Sequence, residues 1–369
     1  MKQHIYLDYN ATSPMRPEIK KAFYDACDIM GNPSSVHFFG RQARKEVENA
    51  REKIASYCGV AARNVIFTGS ATEANHLVLR GTKADILLIP EDEHDCILEA
   101  AKLSGKQVIP LKLLPCGEID IAYFDKIFYD LQTSGKSVLA SIMKVNNETG
   151  RIKDLSYISG KIREIGGILH SDAVQAFGKI PFDNWSWQTD SITIAAHKVG
   201  GPKGIGVLIL KDNILCDPLI TGGGQEMRRR AGTENIPAII TFSAMIDFIP
   251  QMMEESEKYR LWRDKIINHI QNENKQSKIA CLKKNTVSNT ISVMSPQMPS
   301  EKQVILADLS SIALSSGSAC SSGKVKQSHV LRAYGYDNQY SSSNIRISLG
   351  FNNVQGDIEV FKSFYLKIK

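Results

Sequence analysis

Ser191-Ile192-Thr193-Ile194-Ala195-Ala196-His197-Lys198-Val199-Gly200-Gly201-Pro202-Lys203-Gly204-Ile205-Gly206 reads as a strand that ends at a histidine–lysine pair and then passes through a glycine-rich turn. The run before His197 is apolar or small throughout, the pattern of a strand covered on both faces. A second apolar run, Gly206–Leu210, begins where the turn ends. A lysine at a strand end is, by position alone, most often a solvated charge. Held between an apolar strand and a turn of glycines, Lys198 instead describes an amine in a partly buried pocket, where burial lowers its pKa and makes it a nucleophile or base. Schiff-base chemistry is the functional reading of that pattern.

Working outward, strand-length apolar runs recur at 64–69, 85–90, 106–110, 138–143 and 168–171, many of them rich in Ile and Val. Helical patterns lie between several of them. In 41–58, Ala43, Val47, Ala50, Ile54 and Tyr57 fall on one face. This alternation predicts an α/β fold with a large, doubly wound, mostly parallel sheet. Beyond Ile249 the character changes to a long charged helix, 251 to about 276, then strand-like 290–294 and 344–349. The expected division is a large domain over 14–255 and a smaller α+β domain made of 1–13 with 256–369.

With 369 residues, 43% of them hydrophobic, the chain is long enough for two cores. The net charge of +6 is dispersed, with no basic run interleaved with aromatics, which argues against direct nucleic-acid binding. Seven widely spaced cysteines, at 27, 58, 96, 116, 216, 281 and 320, form no C-x-x-C pair and no metal-ligand spacing. A reducing, cytoplasmic setting is expected. No signal core and no membrane-spanning window are read from the sequence, so a soluble, unprocessed protein is expected.

Three further stretches carry chemistry. Gly167-Ile168-Leu169-His170-Ser171-Asp172 is a strand ending in a carboxylate; Asp172 caps the following helix or pairs with a cationic ring nitrogen. Phe67-Thr68-Gly69-Ser70-Ala71-Thr72-Glu73-Ala74-Asn75 runs from a strand through small residues into a helix. There, backbone N–H groups and the Thr72 hydroxyl suit a phosphate, although Thr72 also reads as an ordinary N-cap. Ser315-Ser316-Gly317-Ser318-Ala319-Cys320-Ser321-Ser322-Gly323 places one thiol in a run of small residues, followed by Lys324 and Lys326. Such a run is a linker that happens to hold a cysteine, or a tether that carries a reactive one.

Together with Tyr6-Leu7-Asp8-Tyr9-Asn10-Ala11-Thr12, Glu93-His94, Val145-Asn146-Asn147-Glu148-Thr149-Gly150, Gly222-Gly223-Gly224-Gln225-Glu226 and Arg230-Ala231-Gly232-Thr233-Glu234-Asn235, these motifs occur in an order that resembles the cysteine desulfurases. Those enzymes form part of the aminotransferase class V branch of the fold-type-I pyridoxal 5'-phosphate (PLP) enzymes. The likeness runs from Tyr6 to about Leu349 and is to the group whose loop reads S-G-S-A-C.

The resemblance implies a fold-type-I transferase that converts L-cysteine to L-alanine and keeps the sulfur on Cys320 as a persulfide. Lys198 is then the Schiff-base lysine and moves protons at the substrate Cα, with His94 stacked on the ring as a catalytic proton shuttle. Asp172 pairs with the ring nitrogen and Gln175 with the phenolic oxygen. Ala71, Thr72 and His197 hold the phosphate, and Asn147 and Arg346 hold the substrate carboxylate. Thr233 reaches the phosphate of a neighbouring subunit, which implies a homodimer. A sulfur-acceptor protein, and a role in iron-sulfur cluster or other thio-cofactor supply, are implied as well.

Departures are Ala195 where the family usually has Ser or Thr as a phosphate ligand, and Ser70 where Gly is common, its hydroxyl a candidate replacement. The sequence also ends at Lys369 without the C-terminal extension of members that deliver to an iron-sulfur scaffold, which leaves the acceptor unassigned. A selenocysteine lyase, a cysteine sulfinate desulfinase and a catalytically weak scaffold of a sulfur-transfer complex share enough of this pattern to stand as alternatives.

Overall fold

The computed structural model describes residues 4–115, 117–182, 188–282, 284–317 and 327–368. The strands are β1 (Ile5–Tyr6), β2 (Val65–Thr68), β3 (Ile86–Pro90), β4 (Gln107–Leu111), β5 (Val138–Ser141), β6 (Ile168–Asp172), β7 (Ser191–Ala195), β8 (Gly206–Leu210), β9 (Lys278–Ile279), β10 (Thr290–Met294), β11 (Ile312–Ala313), β12 (Ser315–Ser316) and β13 (Asn344–Ser348). Seven of them form one sheet in the order β2-β8-β7-β6-β5-β3-β4. Every pairing from β7 to β4 is parallel, and β8 runs antiparallel to both its neighbours. The expected mostly parallel sheet is therefore present, and its runs coincide with the apolar ones in the sequence to within a residue or two. β2, β3, β5, β7 and β8 are buried along their whole length, because helices cover both faces.

One covering layer packs the helices Pro17–Cys27, Phe38–Cys58 and Ile236–Met245 against the sheet through Val47, Ile54, Phe177, Ile194, Val207 and Phe242. The helix predicted from Arg41 starts earlier, at Phe38, with His37 accepting from the Gly40 N–H as its cap. The run 236–273 contains a window long and apolar enough to span a bilayer, against expectation, and half of that window is buried inside the protein. Ile236, Ile239, Phe242 and Met245 account for much of that apolarity, and they lie in the core.

A second core gathers β10 and β13 with the helices Ile249–Glu273 and Gln355–Tyr365. Its sheet runs β12-β13-β10-β9, all antiparallel. The N-terminal segment belongs to this core: β1 pairs with β11 in parallel, and Leu7 is buried among Ile291, Ile312, Ile345 and Ile347. From there the chain crosses to the large sheet. Tyr9 lies flat against Gly350, where a Cβ would sit 2.0 Å from the ring, and Arg16 pairs with Glu255 at 2.5 Å. Residues 8–13 are thus carried between the two cores, at the edge where β2, β3, β5, β6 and β7 end.

Candidate active site

At the carboxyl ends of those strands, the place where open α/β sheets bind ligands, lies a cavity of about 390 Å³. All the strands of the large sheet except β4 and β8 lead into residues that line the cavity. β2 leads into the helix Ala71–Gly81, β3 into His94, β5 into Asn147, β6 ends in Asp172, and β7 leads into His197 and Lys198. Ala71, Thr72, His94, Asn147, Asp172, Gln175, His197, Lys198 and Arg346 all line this one volume. Thr233 does not; it is exposed and lines a separate recess with Gly69 and Arg230. Cys320, with Lys324 and Lys326, lies outside the described residues. The chain on either side of that stretch stands at the cavity, since Gly317 and His329 both line it.

Lys198 Nζ donates to two backbone carbonyls, Asn10 O at 2.9 Å and Ala11 O at 2.8 Å. Burial, reinforced by the positive charge of Arg346, pulls its pKa down to about 8, against the smaller opposite pull of Asp172 and Asp8. His197 is lowered to about 4 by burial and by Lys198, so its imidazole is neutral; its Nδ1 lies 3.3 Å from the Thr12 hydroxyl. His94 caps the helix Asp95–Lys102, accepting from the Cys96 N–H at 3.1 Å. Its ring is open to the cavity although the residue sits deep, and that depth lowers its pKa from the ordinary value.

Asp172 sits in a chain of buried groups. Its Oδ2 accepts from Asn75 Nδ2 at 2.7 Å, and its Oδ1 from the Val174 N–H at 3.0 Å. Asn75 Oδ1 in turn faces His170 Nε2 at 3.1 Å, and His170 Nδ1 faces the Ser191 hydroxyl at 3.0 Å. Burial pushes His170 down to about 3, so it stays neutral and donates from one nitrogen. The helix after Gly69 is capped by Ser70, which accepts from the Glu73 N–H, and not by Thr72. Ser70 is extended with φ −169°, and Gly69 leaves room for Glu73 to close back on its N–H. Thr72 stands in the first turn, beside free N–H groups that face the cavity.

Arg346, buried on β13, is held by Asp8 at 2.8 Å and by the Asn147 carbonyl at 3.1 Å. Asn147 is presented by a tight turn in which Asn146 Oδ1 accepts from the N–H groups of Glu148 and Thr149, both at 3.0 Å, and Gly150 adopts φ +72°. A buried Asp92–Lys153 pair at 2.5 Å supports that turn from beneath. The sequence reading assigned no role to Asp8, Asn10, Asn75, His170 or Lys179. For the first four the available signal was membership of the quoted motifs; Lys179 carried none.

The residues fit PLP. Arg346 Nε is a buried donor without a partner among the described residues, on a side chain that lines the cavity, and can give its N–H to a carboxylate held there. Gly206 of β8 lies directly beneath the helix N-terminus, where a Cβ would come within 2.6 Å of the Ala71 nitrogen. Only glycine lets that helix start settle low enough to shape a phosphate cradle. Ala195 offers no hydroxyl there and is fully buried, whereas Ser70 lines the cavity with its hydroxyl hydrogen still free to donate.

Comparison with known proteins agrees with this geometry. Cysteine desulfurase IscS of Dictyoglomus turgidum is 34% identical over 366 residues, covering 97% of this chain and 92% of that protein. The X-ray structure of a NifS-like protein from Rickettsia africae superposes with a TM-score of 0.90 at 31% identity, over 99% of each chain. A structure described as SspA in complex with cysteine superposes with a TM-score of 0.79 at 28% identity, covering 94% of this chain and 98% of that one. The family described as aminotransferase class-V matches residues 5–361. With that match across nearly its whole length, and a fold-type-I site at the ends of its parallel strands, the chain belongs to the PLP-dependent aminotransferase class-V family.

Proposed function

We propose that the protein is a cysteine desulfurase that releases L-alanine from L-cysteine and takes the sulfur onto Cys320. The observation that carries this reading is a single cavity in which a lysine amine of depressed pKa, a buried carboxylate and a carboxylate-binding arginine face one another. PLP, when bound, supplies the electron sink that makes a Cα proton removable. Lys198, His197, Thr72, the Ala71 N–H, Asp172 and Gln175 are the residues that would hold it.

The chain's own groups then divide the work. Arg346 and Asn147 orient the substrate carboxylate, the arginine through its planar fork. Asp8 stiffens that fork from behind at 2.8 Å. Lys198, with a pKa of about 8, is partly neutral near pH 7 and can both take and return a proton at Cα. Asp172 is presented to a ring nitrogen in a fixed orientation because Asn75 and the Val174 N–H hold its two oxygens in place. Cys320 attacks the substrate sulfur as a thiolate, so that the S–S bond forms as the substrate Cβ–S bond breaks, and the electron pair left on the carbon fragment is protonated on the way to alanine. Supporting that assignment, Gly317 and His329, which flank Cys320 in the sequence, both line the cavity.

The finer readings belong to the same proposal. Thr233, exposed and outside its own chain's cavity, suits the family role of reaching a neighbour's phosphate in a homodimer. Cys27, Cys58, Cys96 and Cys216 form no disulfide among the described residues, which suits a cytoplasmic protein, and a persulfide implies an acceptor protein, with iron-sulfur cluster supply as one destination. The test is release of alanine and sulfide from L-cysteine by the PLP-loaded protein with a thiol reductant. Cys320→Ala is expected to keep the cysteine-induced change in the visible spectrum and to release no sulfide. No alanine from the unaltered protein, or full sulfide release by the variant, overturns the reading.

A further inference from the structure

A second lysine lies behind the first. Lys179 follows Gln175 by four residues in the turn after β6, and its Nζ is 2.7 Å from Asn10 Oδ1 and 2.5 Å from Gln175 Oε1. A lysine amine has N–H groups to give to both, so each amide must turn its oxygen toward Lys179. An amide is planar, and fixing its oxygen fixes its nitrogen on the other side. Gln175 Nε2 therefore donates to the Asn10 carbonyl at 3.0 Å, with its second hydrogen left on a residue that lines the cavity. Asn10 Nδ2 likewise donates away from Lys179, to Thr290 Oγ1 at 2.9 Å and the Asn147 carbonyl at 3.3 Å.

The two amides so oriented donate to carbonyls that also receive the cations of the site. The Asn10 carbonyl that receives Gln175 also receives Lys198, while the Asn147 carbonyl that receives Asn10 also receives Arg346. Asn289 adds a second donor to Asn10 Oδ1 at 3.3 Å, but nothing except Lys179 donates to Gln175 Oε1 among the described contacts. Without that donor only the Nε2 bond to the Asn10 carbonyl holds the Gln175 amide, and a half turn, which would present an acceptor to the cavity where a donor is needed, becomes easier.

We propose that Lys179 is a positioning residue: it locks the Gln175 side-chain amide so that its N–H, and not its oxygen, faces the phenolic oxygen of bound PLP. The proposal rests on the cofactor reading and is independent of where the sulfur goes. A donor on the phenolic oxygen draws charge from that oxygen and so loosens the proton on the adjacent lysine-linked nitrogen. The pH midpoint of the cofactor's visible band reads that proton directly, apart from turnover.

The experiment is a visible-absorbance pH titration of the PLP-loaded protein, Lys179→Met, Gln175→Ala and the double variant. Asp172, Asp8, Arg346, Cys96, His94 and His197, the other charged and titratable groups facing Lys198 or its ring partner, are left as they are. Lys179→Met is expected to raise the midpoint by about one pH unit, and to add nothing in the Gln175→Ala background. An unchanged midpoint overturns the proposal. So does a shift that persists undiminished in the Gln175→Ala background, because that is the mark of lost positive charge acting through space. If Lys179→Met does not fold, Lys179→Ala is titrated instead; it too offers no donor to either oxygen, and a midpoint equal to the unaltered protein's overturns the proposal equally. A wild-type protein that shows no visible band with PLP sinks both this proposal and the cofactor reading, whereas a normal band with an unmoved midpoint sinks this one alone.

Discussion

Attachment of PLP to the cofactor-free protein requires a neutral Lys198 amine, and the structure fixes how that requirement varies with pH. With the pKa pulled down to about 8, about 9% of the amine is neutral at pH 7 and about 91% at pH 9. The attachment rate is therefore expected to rise roughly tenfold between these values and then level off. An unperturbed lysine would be neutral at only about 0.03% at pH 7 and about 3% at pH 9, giving a roughly hundredfold rise with no plateau. Burial is the largest cause of the depression and Arg346 the next, so Arg346→Met should move the midpoint up, while Asp172→Asn, which removes a charge that raises it, should move it down. Stopped-flow mixing of the apo-protein with PLP, followed at the visible band from pH 6.5 to about 10, measures the profile. A rate that keeps climbing tenfold per pH unit through pH 9.5 would refute the argument that burial in this pocket prepares the amine.

Other parts of the site make separate predictions. Gly206→Ala drives a Cβ to within 2.4 Å of the Ser70 carbonyl carbon and should weaken PLP affinity roughly tenfold or more, measured by equilibrium dialysis. Glu226→Gln breaks the buried pair with Arg51, whose two nitrogens lie 2.7 and 2.9 Å from the carboxylate, and should lower stability by about 3 kcal/mol in denaturant unfolding. Arg346→Lys keeps the charge but loses the fork, so KM for L-cysteine should rise about 10- to 100-fold with a smaller change in kcat.

The residues readable in the sequence are those that end a strand. β7 is observed over the same five residues that the apolar pattern marks, and Lys198 follows from where that strand stops. Asp172 and the start of the helix at Ala71 are located in the same way, because strand order and direction bring all these ends to one edge. The capping alternative left open for Thr72 is settled by a local feature: Ser70 and Thr72 are both good capping types, and the choice is made by the extended backbone at Ser70, which a residue list does not specify. Asn10, Asp8 and Lys179 were hidden for a different reason. Their partners are 165 to 338 residues away or depend on those that are, as in Asn10 with Gln175 and Asp8 with Arg346. In its own neighbourhood Lys179 looks like a surface charge after a glycine.

The two kinds of residue correspond to two tasks. Apart from Arg346, which lies in the middle of β13, the described groups assigned to touch a reacting molecule lie at or just beyond strand ends of the large sheet, whose positions the sheet dictates and periodicity reveals. Groups that fix the orientation of those side chains come largely from residues 8–12, carried across from the second core by the β1–β11 pairing and the burial of Leu7. The orientation of Lys198, Gln175 and Arg346 therefore depends on the second core being folded and docked. A substitution there, such as Leu7→Ala, should disturb cofactor attachment even though it lies outside the cavity. The expected cost of about 2–5 kcal/mol from a fully buried leucine should appear as a slower, less pH-responsive attachment rate at Lys198. An attachment profile identical to that of the unaltered protein would show that residues 8–12 hold their place without the second core.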